Sequence, residues 1–192
     1  MDDRRERILV AARKVLAEKT QAGATVAEIA REAGVARGLL HYHFESKETL
    51  FLEVIRSIYA TDLGPDVLRG FTAETPAQLA TQITQVLREA VAESPWLLQL
   101  IYECESVGRR SAAARIELER LWSESREKMV DELESLRASG CIRSTLPSEG
   151  LVTMVVAIVH GIGMQMLGEP REVTRTENWQ AMERTLELLF DS

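Results

Sequence analysis

Between Thr25 and Phe44 the chain sets two short apolar runs on either side of a single glycine. Val26, Ile29 and Ala30 fall at helical spacing behind Thr25-x-x-Glu28, a pattern that caps a helix start. Gly34 stops that run, since glycine takes the left-handed conformation such a stop often needs. Only Val35 and Ala36 precede the next run, Arg37 to about Phe44. Two short helices joined by three or four residues with a glycine form a helix-turn-helix pattern.

The flanking sequence is helical too. Ile8, Leu9, Ala12, Val15 and Leu16 predict a first helix over about 3–19. Ser46 caps a fourth helix, striped by Leu50, Val54 and Ile58 and ended by the Leu-Gly-Pro at 63–65. Thr75-Pro76 and Ser94-Pro95 each pair a cap residue with proline at the first helical position, predicting helices over 76–92 and 95–108. A long helix over 111–138 turns Ile116, Leu121, Met129, Leu133 and Leu136 inward and stops at Gly140. Another spans 148–168. The last starts at Thr174, with Glu177 completing a second capping box, and ends near Phe190. The expectation is an all-α fold of about nine helices, with 64–75 as the longest loop. Residues 1–47 make a small N-terminal helix-turn-helix domain and 48–192 a larger helical one.

Charge narrows the function. The chain carries a formal net charge of -7, so it has no uniformly basic coat. Residues 1–47 nevertheless hold nine Lys/Arg against seven Asp/Glu, or +2, and the remainder is -9. Contact with a polyanion therefore belongs to the N-terminal quarter. Two cysteines, Cys104 and Cys141, without a CxxC pair fit a reducing compartment. A start charged from "MDDRRER" onward is not a secretory leader, so the expected location is cytoplasmic. The most apolar stretch, 150–167, is broken by Thr153, His160, Gln165 and glycines, and reads as a buried or interface helix rather than a membrane span.

The segment "GVARGLLHYHFESK" concentrates the unusual side chains. His41 and His43 point away from each other on a helix and have no nearby cysteine or placed carboxylate, so no metal site is expected. No nucleophile motif is present, and no catalytic residue or cofactor is expected. One alternative is that Tyr42 and Phe44 pack the small domain while the histidines are merely solvated. The other treats Arg37–Phe44 as a recognition helix in a major groove. Arg37 is then the hydrogen-bonding reader, Gly38 lets the backbone approach, and Leu39 touches a thymine methyl. His41, Tyr42 and His43 offer ring donors, while Thr25 and Lys47 face phosphate.

The segment "TVAEIAREAGVARGLLHYHFESKETLFLEVI" strongly resembles the N-terminal DNA-binding domain of TetR-family transcriptional regulators. The whole chain is similar in length and helix order. The resemblance implies three DNA-binding helices, a fourth linking helix, and a regulatory and dimerisation domain. It implies a homodimeric repressor released from a palindromic operator by a small ligand. It places Thr25 and Lys47 at phosphate-contacting positions, Arg37, Gly38 and Leu39 at the base-reading start, and Tyr42 and His43 at supporting aromatic positions. Two positions depart from the family pattern. Ala36 stands where Ser or Thr is frequent, at a capping cost of about 1 kcal/mol. His41 stands where a phosphate-binding tyrosine is usual.

In the family the last two helices of each subunit form a four-helix bundle across the two-fold axis. Here the helices near 148–168 and 174–190 qualify, with Val155, Ile158, Val159, Ile162 and Met166 on one and Trp179, Met182, Leu186 and Leu189 on the other. Plain intrachain core is the alternative for each of them. For a small-molecule effector, Trp96, Leu100 and Glu103 share one helix face, and Trp122, His160 and Met164 are unusual residues on apolar helices. They would line a mainly apolar pocket in which Glu103 meets a cation or a hydroxyl. An ordinary helix seam with Glu103 salt-bridged is the competing reading. An activator of the same fold, or an all-helical enzyme or lipid-binding protein, are the other functions to weigh.

Overall fold

The computed structural model describes residues 3–19, 23–61, 71–93 and 95–192. Within them the chain is all-α. In chain order the helices are α1 (Asp3–Glu18), α2 (Val26–Glu32), α3 (Arg37–His43), α4 (Lys47–Thr61) and α5 (Pro76–Glu93). They continue with α6 (Pro95–Arg110), α7 (Ala112–Ala138), α8 (Ser148–Gly168), α9 (Pro170–Val173) and α10 (Thr176–Asp191). Nine answer to the periodicity of the sequence, and the single turn α9 is added. The expected stop at 63–65, the Ser94 cap and the first part of the 64–75 loop lie outside the described residues.

The chain packs as two compact units. One comprises residues 1–63 and 99–121, the other 64–98 and 122–192, so α6 and α7 each supply residues to both.

In the first unit, Ile8, Ala12 and Leu16 of α1 meet a core of Ile29 from α2, Leu40 and Phe44 around α3, and Phe51, Val54 and Ile55 from α4, all buried. Short helices need such help, because seven residues cannot sustain a helix alone. Thr25 and Glu28 form both halves of the capping box at the start of α2. At its other end the Arg7 guanidinium donates to the Ala33 carbonyl at 2.8 Å, and Gly34 turns the chain with φ of +64°. Ala36 leaves α3 without a side-chain cap. Ser46 caps α4 by accepting from the Thr49 amide at 3.0 Å.

One inward assignment on α7 is corrected here. Ile116 is 61% exposed, and its neighbour Glu117 is buried instead. The cause is electrostatic. Glu117 accepts from Arg56 Nε at 2.7 Å and from Arg120 Nη2 at 2.6 Å, and a paired carboxylate tolerates burial that a free one does not.

In the second unit, α5 lies along α10. Leu79, Ile83 and Leu87 pack against the core that also holds Trp179, Met182, Leu186 and Phe190. The loop after α7 closes the chain end: the Arg143 and Ser144 amides donate to the Phe190 carbonyl at 2.9 Å, and Thr145 donates to Ser192. Those bonds satisfy helix-end carbonyls that have no partner within α10. The expected Thr174/Glu177 capping box does not form. Arg175 is the N-cap and makes no side-chain bond, because the Thr174 hydroxyl donates back to the Pro170 carbonyl at 2.7 Å and completes α9.

Candidate nucleic-acid interface

The α3 helix has two faces with different fates. Leu40 and Phe44, four apart, are buried at 1% exposure. Arg37, Gly38, His41 and Tyr42 are exposed on the other side, with Leu39 and His43 intermediate. Tyr42 is 82% exposed, so it does not pack the domain; Phe44 does. His43 meets the Tyr42 ring edge-on, with centroids 5.2 Å apart. Gly38 faces open space, and a methyl added there would meet nothing within 4 Å. The absent side chain is therefore not required by the protein's own packing, although glycine inside a helix costs stability.

Lys47 is half-buried at the start of α4. Thr25 is exposed, but its hydroxyl is already engaged, donating to Glu28 Oε2 at 2.8 Å while accepting from the Glu28 amide at 3.2 Å. Lys19 also pairs with Glu28. Lys19 first, then Thr25, hold the Glu28 carboxyl down at about 2. A phosphate reaching Thr25 must share it with that carboxylate.

Sequence reasoning did not find the polar chain behind this surface. Arg5 of α1 donates to Glu53 of α4 at 2.5 Å, and its guanidinium lies 5.4 Å from the centre of the Phe44 ring. Glu53 also binds Arg56, and Arg56 reaches Glu117. The i,i+3 spacing of Glu53–Arg56 and Glu117–Arg120 is legible in the sequence, but partners 61 residues apart are not.

The effector candidates divide between the two units. In the first, Leu100 is fully buried in core, and Glu103 lies 3.8 Å from Arg110. In the second, Trp96 is half-buried, Met164 is 53% exposed, and the Trp122 and His160 rings meet edge-on at 5.1 Å. An open hollow of about 430 Å³ in the second unit is lined by α5 and Glu183, including Thr81, Gln85, Arg88 and Glu89. Its polar walls do not suit a mainly apolar effector, and none of the six candidates borders it.

Residues 8–54 match the family model for bacterial regulatory proteins of the tetR family. The chain belongs to the TetR family of transcriptional regulators. Its α1–α4 segment is the part that the family model spans, and members of this family are DNA-binding proteins rather than enzymes. This TetR-family chain is 27% identical over 190 residues to the HTH-type transcriptional regulator BetI of Brucella anthropi, covering 94% of this chain and 93% of that protein. It is 30% identical over 112 residues to BetI of Rhizobium meliloti, where the match covers 58% of this chain and 55% of the relative. Among solved structures, Salmonella enterica GusR superposes with a TM-score of 0.80 at 19% identity, over 100% of this chain and 98% of the other. A regulator from Saccharomonospora viridis in complex with choline gives 0.73 at 18%, over 97% and 94%. At these identities the structures share the fold.

Proposed function

We propose that this chain is a homodimeric repressor that binds a palindromic operator and is released by a small, mainly apolar effector. Residues 1–47 read DNA, residues 48–192 regulate and dimerise, and the protein acts in the cytoplasm. The observation that carries the DNA half is the exposed face of α3: Arg37, Gly38, His41 and Tyr42 stand clear of a core that holds Leu40 and Phe44. Arg37 reads a base edge, Leu39 meets a thymine methyl, and His41, Tyr42, His43 and Lys47 contact backbone. At Thr25 a phosphate is met by the α2 amides that follow it, because the Thr25 hydroxyl and its own amide are both engaged by Glu28.

Dimerisation is supported by α8. Residues 148–166 have a mean hydropathy of 1.4, and by length and composition this helix is apolar enough to cross a membrane, yet only 17% of that window is buried within the chain. Val155, Ile158, Val159, Ile162 and Met166 pack one side on the core and leave the other open. A second copy related by two-fold symmetry covers such a face with the same face of its own. On α10 the Trp179, Met182 and Leu186 stripe is already buried in its own chain. Its contribution to the dimer is the opposite side, with Leu188 at 53% exposure.

Of the effector candidates, Trp96, Trp122, His160 and Met164 belong to the second unit and Leu100 and Glu103 to the first, and the site is proposed at the Trp122–His160 pair. A choline-bound relative of the same fold supports a cationic head group, and an aromatic pair such as Trp122 and His160 suits one. The test is selection of bound genomic fragments with purified protein, footprinting, and a screen for compounds that release the complex. Protection of an inverted repeat is expected. Failure to enrich any fragment overturns the reading, and activation of the bound promoter in a reporter strain would replace repressor by activator.

A further inference from the structure

We propose that Arg5 is a positioning residue for the recognition helix, locked onto the end of α3 by Glu53. The inference rests on the reading of α3 as the DNA-contacting helix.

The α3 helix has little of its own to fix its direction. It is seven residues long and has no side-chain cap at Ala36. Its two inward side chains are Leu40 and Phe44. Phe44 is the C-terminal cap, and its amide donates to the Leu40 carbonyl at 2.9 Å. Whatever holds the Phe44 ring therefore sets the tilt of Arg37, Gly38 and His41.

Arg5 holds it from outside the apolar core. Its guanidinium lies over the ring at 5.4 Å from the centroid while Nη2 donates to Glu53 Oε2 at 2.5 Å. A planar guanidinium can stack flat on a ring while its edge binds a carboxylate, which fixes the ring's orientation; an ammonium is a compact point charge on a flexible stem and fixes it less. Glu53 is itself restrained, because Arg56 binds it and also binds Glu117. Three helices, α1, α4 and α7, are thus joined through one row of charges within the first unit, and its first member, Arg5, lies over the Phe44 ring that caps α3. The Arg5 and Glu53 side chains are 39% and 22% exposed. A pair that open adds little to global stability. Its consequence is directional, and directional errors of a recognition helix reduce sequence-specific contacts more than backbone attraction.

The test compares full-length wild type, Arg5→Lys, Glu53→Gln and the double variant. Each is titrated with an operator duplex obtained from bound genomic fragments and with a scrambled duplex of equal length, at two salt concentrations. Both single variants should bind the operator about threefold to tenfold more weakly. Their affinity for the scrambled duplex and their salt slope should stay at the wild-type level. The double variant should be no worse than the poorer single, since both changes break one lock. Should Arg5→Lys fail to fold, Glu53→Gln alone carries the comparison. Equal weakening on both duplexes with a shallower salt slope makes Arg5 a phosphate contact and overturns the proposal. A lower melting temperature with an unchanged operator-to-scrambled ratio reduces the lock to ordinary packing, which also overturns it. Wild type that selects no DNA removes the DNA reading and this inference together. Wild type that binds, with variants indistinguishable from it, removes this inference alone.

Discussion

Arg56 of α4 donates from Nε to the buried carboxylate of Glu117 in α7 at 2.7 Å. Arg56 first, and Arg120 after it, hold the Glu117 carboxyl at about 2, below its ordinary value of 4.5. A depressed carboxyl stabilises the fold above its unfolded pKa and loses that contribution as pH falls through the folded one. Wild type should therefore exceed Glu117→Gln in stability by about 1–3 kcal/mol near pH 7, discounted because Arg56 is 45% exposed. The gap should close as pH drops from about 4.5 to about 2. Chemical denaturation of both proteins across that range is the measurement, and a gap independent of pH would show that the ion pair is not its source.

Gly38 should separate folding from function. Alanine there meets no neighbour within 4 Å, so Gly38→Ala should stabilise the protein by about 0.5–1 kcal/mol. It should also weaken operator binding if the backbone approaches DNA at this point. Thermal melts and titrations on the same sample decide it; unchanged operator affinity would remove Gly38 from the interface.

Arg37 and Lys47 should fail differently. Arg37→Ala should cost about 1–3 kcal/mol and relax preference at one base pair per half-site. Lys47→Ala should weaken all sequences alike and reduce the salt slope by about 1. A panel of operator variants titrated at several salt concentrations distinguishes them, and identical behaviour would refute the division into reader and anchor.

Gly161 tests the assembly. Within the chain a Cβ at this position meets nothing within 4 Å, and the helix is half-exposed there. Gly161→Leu should leave the single chain folded and shift the mass measured in solution at micromolar protein from dimer toward monomer, because a second α8 approaching this face would clash. A variant dimer as tight as wild type would place the interface elsewhere, and a wild type that is monomeric would remove the two-fold operator with it.

Gly34 makes the opposite case to Gly38. Its φ of +64° is one that side chains with a Cβ adopt at a cost, and a Cβ there would lie 3.2 Å from the Arg7 guanidinium. Gly34→Ala should destabilise the first unit by about 1–2 kcal/mol, readable in the denaturation midpoint.

The sequence by itself determined what is local. The helices, the Thr25–Glu28 capping box, the positive φ of Gly34 and the motif from Thr25 to Lys47 all follow from neighbours within one or two turns, where backbone bonding and caps act. Periodicity also marked the Trp179, Met182 and Leu186 stripe, but it defines a face without naming what covers it. The tertiary structure decided that α5 covers that stripe while much of α8 stays open. It decided that Ile116 turns out and Glu117 turns in, because two arginines, one of them 61 residues away, meet the carboxylate. It also joined Arg5 to Glu53 and Phe44, a contact between helices that no spacing along the chain encodes. Hydrophobic burial and ion pairing act between whichever surfaces the fold brings together, so their partners exist only once the helices have packed.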